Sequence, residues 1–210
     1  MKSGDCFTSF TSLLQELESV FAGMRKKFPA EVTCGPGCVD CCYACFNVSL
    51  VEAMFINHHW RRIKDEEVRE GVLLRADQAR AAVEEKRKEL DGARDLKERS
   101  KEIATWRVRC PLLNDEKRCV LYEYRPVTCR VYGLPTEIYG KGHVCGFSGF
   151  DSGMTYPTVK LDAIAAHLDV FSQKLVDDIP DLDSEMAGQR FFLFDVVSQE
   201  SSLPEIKNIK

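Results

Sequence analysis

Apolar residues recur at helical spacing in the first 28 positions of the chain. They lie on one face of a helix when plotted at 3.6 residues per turn: Phe10, Leu13, Leu14, Leu17, Val20, Phe21 and Met24. Such a stripe is typical of an amphipathic helix, and proline cannot continue a helix. The pattern therefore predicts a helix over residues 7–28 that ends before Pro29, and the same spacing predicts another over 159–178.

The middle of the chain shows two further helical patterns. Ser49 and Glu52 form a capping-box pair before an apolar run, which predicts a helix that starts near residue 50. Residues 65–107 are rich in Glu, Lys, Arg, Ala and Leu, and their apolar positions form a stripe: Val68, Val72, Ala76, Ala79 and Val83. The stripe predicts a helical pair here. If the two helices are antiparallel, they bring Cys45 and Cys110 to the same end.

These elements predict a mainly α fold with irregular cysteine-rich loops and little or no sheet. The run RFFLFDVV at 190–197 fits either a strand or a short buried helix, because periodicity does not separate the two. We expect an N-terminal amphipathic helix over 1–33 and a cysteine-cluster domain over 34–150 with a charged helical insertion at 61–109. A C-terminal helical extension over 151–210 is expected to pack on the same core.

Charge and composition narrow the classes of function. The 210 residues carry a net charge of −4, and basic residues are interleaved with acidic ones. This pattern lacks the single-sign face of a nucleic-acid binder, so nucleic acid is not expected as a partner. The first residues do not form a signal-peptide pattern, and no apolar run reaches the length of about 18 residues that a membrane span needs. We therefore expect a soluble cytoplasmic protein that does not bind membranes.

Nine of the ten cysteines are concentrated in two groups, and Cys6 stands apart. One group lies in the stretch CGPGCVDCCYAC at 34–45, and the second comprises Cys110, Cys119, Cys129 and Cys145. A reducing cytoplasm disfavours disulfides, and a chain of this length can bury a core without them. Thiolates bind soft and borderline metals, and four of them hold either a zinc ion or an iron–sulfur cluster. The clustering therefore predicts one or two metal centres.

The adjacent cysteines Cys41 and Cys42 constrain the backbone. Neighbouring side chains of a strand point in opposite directions. Either the chain turns sharply at this point or the two thiols serve different centres.

The sequence around Cys129 places two arginines beside a candidate ligand. A proline suits the first helical position, so Arg125-Pro126 predicts a helix that starts at Pro126, with Cys129 in its first turn. Free N–H groups there favour a thiolate. Arg125 and Arg130 flank Cys129 and could donate hydrogen bonds to metal-bound sulfurs. Alternatively, they form surface pairs with Glu123 or Glu137.

The cysteines and their surroundings resemble the CxxCxxCC cysteine-cluster family, also called the YkgJ family, described as a zinc- or iron-chelating domain. The resemblance covers about residues 34–150. It rests on the Cys41-Cys42 pair, SLVEA at 49–53, Cys110-Pro-Leu-Leu, Cys119-Val-Leu-Tyr and Arg125-Pro-x-x-Cys129-Arg-x-Tyr132. It implies eight metal-ligating cysteines: Cys34, Cys38, Cys41, Cys42, Cys110, Cys119, Cys129 and Cys145. This chain departs from the pattern by an extra residue between Cys34 and Cys38 and by the insertion before Cys110.

The spacing favours an iron–sulfur centre over zinc. Zinc sites usually contain paired C-x2-C knuckles, and the second cysteine group has none. We therefore favour a [4Fe–4S] cluster, with zinc as the alternative.

Three functional classes stay open on the sequence alone. The cluster could serve electron transfer or an accessory role. The C-x3-C-x2-C spacing of Cys34, Cys38 and Cys41 also occurs in radical enzymes. The second class is therefore an iron–sulfur enzyme, or a subunit of one, with an open iron site. The third class is an interaction module, in which a structural zinc supports the charged helices 61–109 as a docking surface for a protein partner.

The remaining cysteines and histidines fit structural roles better. Cys45 forms C-x2-C with Cys42 and is interpreted as a core thiol or as a neighbour of the centre, and Cys6 lies on the predicted first helix. His143 is interpreted as a solvated loop residue. His58 and His59 are helix neighbours that cannot both face one ion. The sequence contains no carboxylate pair, nucleophile elbow or phosphate-binding loop, so no catalytic residue is assigned.

Overall fold

The protein is mainly α-helical, as its sequence predicts. The computed structural model describes residues 3–35, 37–89, 102–103, 105–151, 153–180, 182–199 and 201–205. Within these ranges the helices are α1 (Ser3–Lys27), α2 (Leu50–Trp60), α3 (Glu66–Glu89), α4 (Val127–Val131), α5 (Leu161–Asp178) and α6 (Leu193–Val196). None of the described helices is both long and apolar enough to cross a membrane.

The strands are short and form two small sheets. One sheet pairs β1 (Asn47–Ser49) antiparallel with β5 (Arg190–Phe192). In the other, β2 (Thr136–Ile138) lies between β3 (Lys141–His143), which is antiparallel to it, and β4 (Val159–Lys160), which is parallel. The run at 190–197 therefore contains both structures that its pattern allowed, because β5 leads directly into α6.

Helix α1 buries the stripe that its sequence predicts, mostly in its first half. Phe7 and Phe10 are fully buried, and both rings contact Phe55 of α2. Further along, Val20 of the predicted stripe is largely exposed, so only part of the stripe enters the core. The helix ends at Lys27, two residues before Pro29, in agreement with the prediction.

Helix α2 lies at the centre of the molecule and is buried on nearly all sides. Its capping box forms as predicted, with Ser49 as the N-cap and Glu52 at the third helical position. Polar residues on this helix are buried with partners: the Asn57 amide donates to the Val196 carbonyl at 2.7 Å and accepts from Arg61. The helix thereby connects the C-terminal segment to the core.

The charged segment after α2 forms a helix with one buried face, and the chain then returns to the first cysteine loop. Helix α3 buries the predicted stripe at Val72, Ala76, Ala79 and Val83. Its predicted helical partner falls mostly on residues 90–101, which lie outside the described residues. The chain nevertheless returns beside the first cysteine loop. Two hydrogen bonds show this: the Cys45 amide donates to the Trp106 carbonyl, and the Cys110 amide donates to the Cys42 carbonyl at 2.7 Å.

A continuous hydrophobic core joins the N-terminal, central and C-terminal parts of the chain. It runs from Phe7 on α1 through α2 and α3 to Leu203. A smaller apolar cluster contains Met24, Val32, Leu134 and Phe150 and lies under the loop that precedes Cys34. The cysteine loops are thus held between α1, α2 and the segment that follows α3.

Acidification is expected to destabilise the metal-free protein through His59. Its imidazole stacks on Tyr124 with ring centroids 3.4 Å apart, and burial, followed by the charges of His58 and Arg62, lowers the pKa of His59 to about 4. A folded-state pKa below the unfolded value of about 6.5 gives stability that is present above pH 6.5 and lost as the pH falls towards 4. The variant His59→Phe keeps a ring on Tyr124 and should lose this part of the pH dependence. Urea denaturation between pH 4 and pH 7 measures it, and equal pH slopes for both proteins would contradict the assignment.

Candidate metal centre

The first cysteine loop is shaped by two successive turns. The Cys38 amide donates to the Gly35 carbonyl at 3.0 Å, and Gly37 has a φ of 88°, a conformation that glycine adopts without strain. A single turn of 3-10 helix follows over Asp40–Cys42. Of the two alternatives for the adjacent cysteines, the backbone therefore does turn sharply at Cys41 and Cys42.

The cysteines of the second group come from separate loops and one short helix. Cys110 is fixed by its amide bond to the first loop, and Cys119 lies opposite Leu113 in a β-bridge. Cys129 is the third residue of α4, and Cys145 begins a turn whose carbonyl accepts from the Ser148 amide at 2.9 Å. Helix α4 starts at Val127, with Pro126 as the residue before it, which is one position later than predicted.

Glu52 connects the two cysteine-bearing regions from the buried interior. One carboxylate oxygen accepts from the amide and the hydroxyl of Ser49, at 2.9 and 2.8 Å, and the other accepts from the Val127 amide at 3.0 Å. Burial raises the pKa of Glu52, while these three donors lower it. The residue thereby caps α2 and holds the first turn of the helix that carries Cys129. Sequence reasoning found its capping role but not its contact with Val127.

The thiols fall into two sets, defined by their electrostatic and hydrogen-bond interactions. Five of them, which we call the inner set, interact with one another: Cys41, Cys42, Cys110, Cys119 and Cys129. Within this set Cys41 accepts hydrogen bonds from Cys129 and from Cys42. The outer set comprises Cys34, Cys38 and Cys145, in which Cys34 donates to Cys38 and also interacts electrostatically with Cys41 of the inner set. The Cys145 thiol donates to an Asp40 carboxylate oxygen at 3.5 Å.

Protonation differs sharply among these thiols. Hydrogen bonds from Cys129 and Cys42, with a further contribution from Arg125, lower the pKa of Cys41. Burial raises the pKa of Cys110 to about 12 and also raises that of Cys119. The metal-free inner set therefore favours one thiolate among neutral thiols, so that a metal must displace protons when it binds.

Cys45 does not take part in the electrostatic interactions that define the two thiol sets. It is buried, burial raises its pKa, and the charged groups that act on it are Arg87 and Lys86. Although it lies on the same cavity as the other thiols, its environment matches the core role interpreted from the sequence.

Arg125 and Arg130 lie beside the inner set and share an acidic partner from α1. Both guanidinium groups bind one Glu18 oxygen, at 2.9 and 2.5 Å, and Arg130 also donates to the carbonyls of Arg125 and Glu123. The Nε of Arg125 is buried and has no hydrogen-bond partner. Neither predicted carboxylate, Glu123 or Glu137, is the observed partner. Glu18 was missed because it lies more than 100 positions away, and no local pattern links it to the arginines.

A cavity of about 570 Å³ opens between the cysteine-bearing segments. It is lined by seven of the eight predicted ligands and by Cys45. Among the described residues, no group of three or more cysteine, histidine or carboxylate side chains is arranged to hold a metal ion in this conformation. Cys41 is hydrogen-bonded to Cys42 and Cys129, so metal binding by these thiols requires them to lose protons. His143 lies exposed on β3, in keeping with its interpretation as a solvated residue.

Replacing Gly133 by alanine is expected to displace Cys34. A Cβ at this position would lie 2.5 Å from the Cys34 Cβ and 3.3 Å from its sulfur, so one segment must move. Overpacking of this kind costs about 1–3 kcal/mol. Gly142→Ala is the matched control, because a Cβ there meets nothing within 4 Å. Urea denaturation compares the two variants, and equal stabilities would show that Cys34 is not held against Gly133.

The comparisons with known proteins agree with the cysteine geometry. Residues 33–146 match the model of the CxxCxxCC family, whose description is "Putative zinc- or iron-chelating domain". No curated protein and no solved structure matches the chain. The matched region covers more than half of the chain and contains both thiol sets. This protein is a metal-binding cysteine-cluster protein and belongs to the CxxCxxCC family.

Proposed function

We propose that the inner set holds a [4Fe–4S] cluster through four of its five thiolates. The observation that carries the proposal is that five thiols from three separate segments line one cavity of about 570 Å³, which is far more space than a single four-coordinate zinc ion with ligands at about 2.3 Å needs. A cluster spreads its cysteine ligands over several iron atoms, which suits thiols that come from separate segments and line one cavity. Cys41, at the centre of the set, would be the first thiolate available to bind iron.

The charges around the cavity support an anionic centre. Six basic residues line it: Arg25, Arg109, Lys117, Arg118, Arg125 and Arg130. The acidic lining residue among those described is Glu18, which is paired with Arg125 and Arg130. Thiolates and inorganic sulfide bring several negative charges into this space, and nearby cations and N–H donors stabilise them.

Arg125 is proposed to donate a hydrogen bond from its unpartnered Nε to a metal-bound sulfur. The group is buried and already acts electrostatically on Cys41 and Cys119. A donor and a positive charge at this place stabilise the reduced cluster, so they raise its reduction potential. Arg130, whose guanidinium is occupied by Glu18 and two carbonyls, is proposed to hold Arg125 and the α4 region in position.

The experiment that tests this proposal is a redox titration of anaerobically purified protein. We expect a broad visible absorption band that dithionite bleaches, and a lower reduction potential in Arg125→Gln than in the parent protein. Arg190→Gln is the control, because Arg190 pairs with Asp169 and neither residue lines the cavity. A colourless protein, or a cluster whose potential is the same in all three proteins, would contradict the cluster or the role of Arg125 respectively.

A structural zinc in the outer set is the second candidate. Cys34 and Cys38 are joined by a hydrogen bond, and the Asp40 carboxylate contacts Cys145, which together supply sulfur and oxygen donors that zinc accepts. The outer set would then fasten the loop 34–45, and seven of the eight family cysteines would serve as ligands in two centres, four at the cluster and three at the zinc. An open iron position in the inner set would instead support the enzyme class.

The free thiols and the outer face of α3 support proposals about the compartment and the partner of the protein. The nine cysteines from Cys34 to Cys145 are free, which suits a reducing compartment such as the cytoplasm. Helix α3 turns its apolar stripe inwards and leaves charged residues outside, and this outer face is proposed to receive a protein partner. Electron transfer to that partner, or an accessory role beside it, is the function that we favour.

A further inference from the structure

The cavity beside the inner set has a second wall that contains no sulfur. It is formed by Ala79 and Val83 of α3, Phe192 of β5, and Leu193 and Phe194 of α6. All five side chains are at least nine-tenths buried from solvent, yet they line open space. Two separate segments of the chain, α3 and the continuous β5–α6 run, thus build an apolar surface on the same cavity as the thiols.

This apolar wall is rigidly supported from behind. The rings of Phe192 and Phe194 are stacked with centroids 4.9 Å apart and an angle of 10° between their planes. The guanidinium of Arg87 lies over Phe192 and that of Arg80 lies over Phe194, each 5.2 Å from the ring centroid. Arg80 also forms an ion pair with Asp195. The wall is therefore preformed, as is usual for small-molecule sites.

The size of the cavity exceeds what a metal centre alone would fill. Its volume of about 570 Å³ falls within the range of about 300–1,000 Å³ that holds cofactors and drug-sized ligands. A [4Fe–4S] core has only eight heavy atoms and would occupy the side of the cavity where the inner set lies. The space along the apolar wall would stay available to a second molecule.

One buried donor beside this space has no acceptor. Arg109 lines the cavity, its terminal nitrogen binds the Leu113 carbonyl at 2.9 Å and the Asp115 carboxylate at 2.6 Å, and its Nε is buried without a hydrogen-bond partner. Leaving such a donor unsatisfied is costly, and an anionic oxygen is a strong acceptor for it. The excess of basic residues around the cavity also favours binding of an anion.

We propose that the cavity binds an organic anion with an apolar body, which lies along the wall of α3, β5 and α6 and places its anionic group at Arg109. The inference rests on the proposed function in one respect, since the cluster is taken to fill the sulfur side. A carboxylate and a phosphate share the chemistry that Arg109 would recognise. The bound molecule would lie beside the metal centre, in the position of a substrate or an effector.

The test is calorimetric binding of three eight-carbon probes to the metal-loaded protein: octanoate, octyl phosphate and octanol. We expect at least one of the two anions to bind at least tenfold more tightly than octanol, and the tighter anion identifies the preferred head group. Arg109→Gln should reduce the difference between anion and alcohol. Equal affinity for all three probes would overturn the role of Arg109, and no binding of any probe would overturn the proposal as a whole.

Variants of α3 locate the binding site. Val83→Trp should fill the apolar side and weaken binding of the anion at least tenfold, while Leu74→Trp, on the exposed face of the same helix, should leave it unchanged. If Val83→Trp does not fold, Ala79→Leu fills the same side with a smaller side chain. Unchanged affinity in the folded cavity variant would contradict the site.

Metal analysis of the same samples separates the two proposals. Iron and sulfide present without anion binding would refute the ligand site and leave the cluster standing. Anion binding in a protein that contains no iron would refute the cluster and leave the cavity as a ligand site.

Discussion

Replacing Cys129 by alanine is expected to remove most of the bound metal, whereas replacing Cys45 is not. Cys129 donates a hydrogen bond to Cys41 and lies within the inner set, so its loss removes a sulfur from the proposed centre. Cys45 lines the same cavity but is influenced by Arg87 and Lys86, outside both thiol sets. The two variants therefore delete the same atoms from positions that differ in their predicted role.

The measurement is metal content per chain after anaerobic purification, with thermal unfolding as a second readout. Binding of a metal centre contributes directly to folding stability, so Cys129→Ala should also unfold at a lower temperature. Cys45→Ala should show only the modest cost of a small buried cavity. If Cys129→Ala retains as much metal as the parent protein, Cys129 is not a ligand, and the inner set is not the metal centre that we propose.

Replacing Glu52 by alanine is expected to be strongly destabilising, although it leaves every cysteine in place. Three donors, the amide and hydroxyl of Ser49 and the amide of Val127, would lose their acceptor in the buried interior. Each buried donor that is left without an acceptor costs about 1–3 kcal/mol. Because Val127 begins the helix that carries Cys129, metal affinity should fall together with stability.

Two further variants separate this role from a general effect of removing charge. Glu84→Ala removes an exposed carboxylate from α3 and should change stability by less than about 0.5 kcal/mol. Glu52→Gln keeps one acceptor oxygen and should be intermediate. Urea denaturation of the metal-free proteins gives the three values, and a Glu52→Ala stability within about 1 kcal/mol of the parent would show that Glu52 does not connect the two regions.

Local patterns predicted the helices well because each signal lies within a few residues. The capping box of Ser49 and Glu52 forms, and the stripe from Val72 to Val83 is buried. The return of the chain to the first cysteine loop also followed from pattern, since a charged amphipathic segment between two cysteine groups favours a hairpin. Its second half lies outside the described residues, but the amide bonds of Cys45 and Cys110 fix where the chain returns.

The arrangement within the site depends on contacts between distant residues, which local patterns do not encode. The pairing of Glu18 with Arg125 and Arg130 spans more than 100 positions, and the bond from Val127 to Glu52 spans 75. The division of the thiols into inner and outer sets likewise arises from how four loops pack. The spacing of the cysteines indicated metal binding, but it did not indicate which sulfurs lie together.

The apolar wall of the cavity shows the same limit. The run at 190–197 was ambiguous because a short apolar segment fits a strand and a buried helix equally well. The structure resolves it into β5 and α6, whose Phe192 and Phe194 line the same cavity as the thiols. Their relation to the cysteines of the inner set, 63 to 153 positions earlier, could be seen only in three dimensions.

The most direct test of the central claim is the iron, zinc and acid-labile sulfide content of the protein purified without oxygen. A [4Fe–4S] cluster in the inner set predicts about four iron atoms and about four sulfides per chain, and their loss in Cys129→Ala but not in Cys45→Ala. Stoichiometric zinc without sulfide would contradict the cluster, and it would mean that the thiols of this cavity hold the fold together and do not carry electrons.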